Sequence, residues 1–206
     1  MGDLRRYTEL PYLLHMLSQK QITLLNPTSW VDRNDAYFLK RYLERRKLQS
    51  ILVMCLSKSA ATYHHWHVFA PNASGVRIEF HEQLFSEWAA NIPGGRLEPV
   101  KYVRLEEELL AKITLDQLPF VKRHAFRHEG EVRLIVENFD EKLAFLAVAF
   151  DFAMIKEVIL SPWLARPAIA SIKKAIRAAA PGSTFLIKST TMLDSRLFKE
   201  VADNAV

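Results

Sequence analysis

Apolar and polar positions alternate along the chain with two different periods. Leu10, Leu13, Leu14 and Leu17 recur at helical spacing behind Pro11, which predicts a helix that starts near Thr8–Glu9 and stops near Gln19-Lys20. Ile22-Thr23-Leu24-Leu25 reads as a short buried strand closed by Asn26-Pro27. Residues 36–48 set Phe38, Leu39, Tyr42 and Leu43 among charges and predict an amphipathic helix. Ser50-Ile-Leu-Val-Met-Cys-Leu56 is an interior strand, residues 63–69 a His/Trp-rich helix, and 75–80 an alternating strand. Further helices are expected over 82–90, 106–113 and 165–180, and a turn at Pro93-Gly94-Gly95. Strands are expected at 100–103, 131–136, 143–150, 155–160 and 185–187.

Helices and strands mix without regular alternation. The prediction is an α+β fold, a mixed or mostly antiparallel sheet with flanking helices, forming a single domain over residues 1–206. A chain of 206 residues buries roughly 70% of its unfolded surface. Half of it is hydrophobic and 25% is charged, which excludes a disordered chain. The first residues, Met-Gly-Asp-Leu-Arg-Arg, lack the apolar core of a signal peptide. No apolar run is long enough to span a bilayer, so a soluble, cytoplasmic protein without a membrane partner is expected. The formal charge of +5 fits either a nucleic-acid surface or a solvated basic face.

Three segments carry polar groups where a purely structural strand needs none. Arg5-Arg6-Tyr7-Thr8 precedes the first helix, Cys55-Leu56-Ser57-Lys58-Ser59 runs an apolar strand into Ser-x-Ser, and Glu129-Gly130-Glu131 opens an apolar strand with Glu-x-Glu. Residues two apart on a strand share a face, so Glu129 and Glu131 point into one space and need a cation between them. Lys122, Arg127 and Arg133 are the nearby candidates. His64 and His67 lie three apart, yet the sequence offers no second ligand pair, and no metal site is assigned. Asn34-Asp35 reads as the cap of the 36–48 helix. Cys55, the one cysteine, reads as an inert core residue.

The order Arg6, Ser57, Glu131 resembles that of the arginine/serine/glutamate class of ADP-ribosyltransferases. The resemblance implies NAD as substrate, Arg6 with Tyr7 gripping it, Ser57 shaping its pocket, Glu131 as the catalytic carboxylate and Glu129 acting on the acceptor. His65 and Trp66 are expected beside the Ser57 strand, an aromatic there stacking on a flat ring.

A second resemblance rests on longer motifs. They are Leu24-x-x-Pro27-x-x-Trp30-x-x-x-Asn34-Asp35, Cys55-Leu56-Ser57, His65-Trp66-x-x-Phe69-Ala70, Gly75-Val76-x-Ile78-x-Phe80, Val100-x-Tyr102 and Lys122-x-x-x-Phe126-x-x-Glu129-x-Glu131-x-Arg133. Together they resemble the bacterial family of domain of unknown function 2971, over roughly residues 7–160. That resemblance implies a phage-defence or toxin setting and a partner protein from the same operon. The acceptor stays open between nucleic acid, protein and water. Two other readings stay open as well: a metal-dependent nuclease using Asp35, Glu79 and Glu131, in which Arg133 makes a poor base, and a non-enzymatic nucleic-acid or partner-binding module.

Overall fold

The computed structural model describes residues 2–27, 30, 32–106 and 112–205. Its larger sheet has nine strands: β1 (Asp3–Glu9), β2 (Gln21–Leu25), β3 (Ser50–Ser57), β4 (Gly75–His81), β5 (Gly95–Pro99), β8 (Glu131–Asn138), β9 (Phe145–Ala149), β10 (Ile155–Leu160) and β11 (Leu186–Ser189). All neighbours are antiparallel except β10 and β11. A small parallel pair, β6 (Lys101–Val103) and β7 (Val121–Arg123), stands apart. The fold class is the one the sequence pattern predicts. Among the described residues, no helix is long and apolar enough to cross a membrane.

β3 and β8 pair along their full length, from Ser50↔Asn138 to Ser57↔Glu131. The other edge of β3 is shared: β2 pairs at Leu25↔Val53 and β1 at Arg5↔Ser57, leaving Cys55 between the two contacts. The sheet therefore splits on that edge.

Both faces of β3 and β8 are covered, which accounts for their nearly continuous apolar sequences. On one face Leu52, Met54, Leu56, Val132, Leu134 and Val136 join the main core, beneath α1 (Leu10–Gln19), α4 (Glu82–Ala90) and α5 (Ile169–Ala179). On the other face Ile51, Val53 and Ile135 pack against α2 (Arg33–Arg46) and the 3-10 turn Leu115–Phe120. A third cluster sets Trp66 and Ala70 of the α3 region (Tyr63–Phe69) against Ile159, with Tyr7 beside them. The stretch of the second face between α2 and α3 is left open.

Several boundaries differ from the sequence expectation. α2 begins at Arg33, because the Asp32 carboxylate accepts hydrogen bonds from the backbone N–H groups of Asn34 (2.9 Å) and Asp35 (3.3 Å). The cap is thus Asp32, not Asn34-Asp35. β5 and the C-terminal α6 (Arg196–Asp203) are additional elements. The helix expected over 106–113 falls largely outside the described residues.

Candidate active site

Three strands meet at one row. Arg5 on β1 is the Cα partner of Ser57 on β3, and Ser57 is the partner of Glu131 on β8. Residues directly opposite one another share a face, so these three side chains stand in line on the open second face. Two strand spacings separate Arg5 from Glu131, about 10 Å between Cα atoms. Parity decides which arginine takes part. Leu4 (1% exposed) points into the main core, and Arg6, opposite Ile78, shares that face. Arg6 is therefore absent from the cleft, and its burial draws its pKa below the ordinary arginine value. The arginine in the cleft is Arg5, with Tyr7 next to it on the same face.

The row is stitched together by backbone. Arg5 Nη1 donates to the carbonyls of Lys58 and Ser59, each at 3.1 Å, and Arg5 Nη2 to Glu79 Oε1 at 3.4 Å. Ser57 Oγ donates to the Glu129 carbonyl (2.6 Å) and accepts from the Ser59 N–H (3.1 Å). The turn before β8 needs Gly130, whose φ is +51° and whose absent Cβ would lie 2.1 Å from Ser59 Oγ. Glu129 and Glu131 are both brought to the cleft wall by this turn.

Beneath Glu131 lies Arg133, fully buried. All five of its N–H donors are used. Nε donates to Glu131 Oε1 (2.8 Å), and Nη2 to Glu131 Oε2 (3.0 Å) and Asp35 Oδ2 (2.8 Å). Nη1 donates to Asp35 Oδ1 (2.9 Å) and the Pro119 carbonyl (2.7 Å). The Trp30 ring covers the guanidinium at 5.0 Å. Lys122 Nζ closes the cluster, 2.6 Å from Glu129, 3.3 Å from Glu131 and 3.8 Å from Asp35. Three carboxylates thus face two cations, which leaves one negative charge when all are ionised.

The titration behaviour follows from this arrangement. Burial opposes charge on Glu131, but Arg133 and then Lys122 outweigh it and hold the carboxyl below its ordinary pKa. Glu129 is pushed up, burial outweighing Lys122. Asp35 is also pushed up, by burial against the pull of Arg133. Tyr102, whose hydroxyl accepts the Glu131 N–H at 2.8 Å, is raised to about 12, mainly by burial.

The cleft encloses about 850 Å³. Tyr7, Phe69, Phe126 and Trp30 supply its aromatic wall, and Arg33 enters it from the start of α2. His65 and Trp66 do not line it. Their faces of α3 turn inward, leaving 3% and 0% of each residue exposed, while Phe69 (41%) turns outward. They brace Tyr7 instead: the His65 ring stacks on it at 5.8 Å and Trp66 meets it edge-on at 5.3 Å. His65 Nδ1 and Thr62 Oγ1 share a hydrogen bond of 2.7 Å, and burial lowers the imidazole pKa. Cys55 is also placed differently from expectation. Its parity with Ser57 puts it on the cleft floor, near Glu131. Burial among the surrounding atoms, then Glu131, raise the thiol pKa well above its ordinary value.

The three carboxylates weighed for metal chemistry do not form one set. Asp35 and Glu131 are paired with Arg133 and Lys122, whereas Glu79 pairs with Arg5 and Arg77 and lies off the cleft. Of the motif residues behind the second resemblance, Leu24, Val76, Ile78 and Phe80 pack in the core, and only part of the set reaches the cleft. Trp30, Asp35, Ser57, Phe69, Lys122 and Phe126 line the cleft, with Arg133 beneath it. The sequence pattern does not single out Arg5 or Arg33, nor the buried position of Arg133.

No protein-family model matches the chain, and no curated protein matches it. Among solved structures, the chain is similar to Thermus sp. 2.9 DarT in complex with NAD+, with a TM-score of 0.50 and 10% sequence identity over 92% of this chain and 95% of that one. The same protein in complex with carba-NAD+ gives 0.48 and 11% over 93% and 96%. Its complex with ADP-ribosylated ssDNA gives 0.48 and 11% over 93% and 94%. At these identities the likeness is one of fold.

Proposed function

We propose that the cleft binds NAD and breaks its nicotinamide–ribose bond, passing ADP-ribose to an acceptor or to water. The observation that carries this reading is the row Arg5–Ser57–Glu131 on the floor of one cleft. A fold neighbour known in complex with NAD+ supports it.

In this reading Arg5 and Arg33 offer guanidinium groups to the pyrophosphate. Tyr7, Phe69 and Phe126 offer ring faces to the bases. The C1′–N bond breaks with its electron pair leaving on nicotinamide, and positive charge builds on the ribose. Glu131, ionised and fixed by Arg133, stabilises that charge and accepts a hydrogen bond from a ribose hydroxyl. Glu129, with its raised pKa, takes the proton of the acceptor as the new bond to C1′ forms.

Arg123 and Arg127, near Phe126 in sequence, are exposed, and Lys122 Nζ lies over the Phe126 ring at 5.0 Å. Cations beside a ring favour a nucleic-acid acceptor over a protein one. We infer further that such an activity suits a toxic effector held in check by a partner protein. The test is nicotinamide release from NAD, followed by tracing labelled ADP-ribose onto single-stranded nucleic acid, protein or water. Release without label on nucleic acid would reassign the acceptor, and no release with any acceptor would remove the reading.

A further inference from the structure

Glu131 does not meet the cleft alone. Its carboxylate plane is set by the bidentate pair with Arg133, and Arg133 is in turn clamped by both oxygens of Asp35 at 2.9 and 2.8 Å. Asp35 arrives from a separate element, in the first turn of α2, where Asp32 has already taken the capping role. The Asp35 carboxylate is thus released from helix capping and spent on a cation 98 residues away in sequence. A buried guanidinium with every donor satisfied in a planar fork is rigid, and so is what it holds.

We propose that Asp35 is a positioning residue for Glu131, acting through Arg133: it divides the guanidinium between two carboxylates, so that Glu131 is aimed into the cleft without being neutralised. With Asp35 present the cluster keeps one negative charge for the ribose cation. Without it, Arg133 and Lys122 balance Glu129 and Glu131, and the guanidinium belongs to Glu131 alone. The proposal rests on the NAD reading for its kinetic consequence only; the coupling between the two carboxylates is a property of the folded chain.

The groups facing Glu131 are Asp35 from α2, Cys55 from β3, Tyr102 from β6, Lys122 from β7, Glu129 from the preceding turn and Arg133 on β8. Removing the like charge of Asp35 eases ionisation of Glu131, so its titration moves to lower pH.

The test uses the full chain as wild type, Asp35→Asn and Asp35→Glu. The Glu131 carboxyl carbon, assigned by its loss in Glu131→Gln, is titrated by NMR alongside nicotinamide release from NAD. For Asp35→Asn we expect kcat down at least tenfold, KM within about threefold, and a lower Glu131 midpoint. Asp35→Glu, which keeps the charge, should hold the wild-type midpoint, and it serves if the Asn variant fails to fold. An unchanged midpoint in Asp35→Asn, or an equal shift in Asp35→Glu, would overturn the proposal. Should wild type release no nicotinamide, the NAD reading fails while the midpoints still decide the coupling.

Discussion

Arg5 and Glu131 flank Ser57 across three adjacent strands, one cation and one carboxylate on the same face of the sheet. Arg6, one position on, faces the main core. The two neighbouring arginines therefore differ in their expected effect on NAD. Arg5→Ala should raise the KM for NAD roughly 10- to 100-fold, as expected for loss of charge-assisted hydrogen bonds to phosphate. Arg6→Ala should leave KM within about twofold. Steady-state kinetics on the two folded variants checks this, and equal effects would contradict the parity argument.

How much of this was legible in the sequence depends on the kind of signal. The run Ser50–Leu56 and the strand from Glu131 announce themselves by apolar continuity, and both are central strands. That Glu129 and Glu131 need a cation also follows from spacing alone, and Lys122 is that cation. The choice between Arg5 and Arg6 is different in kind. Period two says they face opposite ways, but only the packing of α1, α4 and α5 says which way is inward. The same holds for Cys55, whose apolar neighbours Met54 and Leu56 lie on the other face. Arg133 reads from the sequence as one candidate partner of the two glutamates, but its complete burial does not, since arginines are seldom fully buried. β5, Gly95-Arg-Leu-Glu-Pro99, has too few apolar residues to read as a strand, and is one through its pairing with β8.

Gly130 is a second point of test. It sits at φ +51° with Ser59 Oγ where a Cβ would go. Gly130→Ala should cost about 2–3 kcal/mol, from the left-handed backbone together with displacement of the Ser57–Ser59 segment. Urea unfolding measures it, and a loss below about 0.5 kcal/mol would show that the turn relaxes freely.

His65 predicts a pH dependence. Its folded pKa lies below the ordinary imidazole value because burial disfavours the cation. The unfolded chain therefore binds the proton first. The stability His65 contributes is complete above about pH 6.5 and declines as pH falls through that value towards the folded pKa. His65→Gln should flatten this part of the profile. Thermal melts between pH 7.5 and 5 check it, and identical profiles would contradict it.

Cys55 offers a chemical probe of the cleft. Cys55 lines the cleft, and the protein atoms packed around its thiol, followed by Glu131, raise its pKa. Iodoacetamide should label it slowly at pH 7.5, faster as pH rises, and more slowly with NAD bound. The adduct should block nicotinamide release. Fast labelling at neutral pH, or labelling indifferent to saturating NAD, would place the thiol outside the site.

The most direct measurement is nicotinamide release from NAD by wild type and by Glu131→Gln, with folding of the variant verified by circular dichroism because Arg133 loses part of its compensation. We expect release by the wild type and a fall of about 10²- to 10³-fold in the variant, the loss of one preorganised electrostatic contact. Equal rates in the two proteins, or no release by wild type with nucleic acid, protein or water as acceptor, would contradict it.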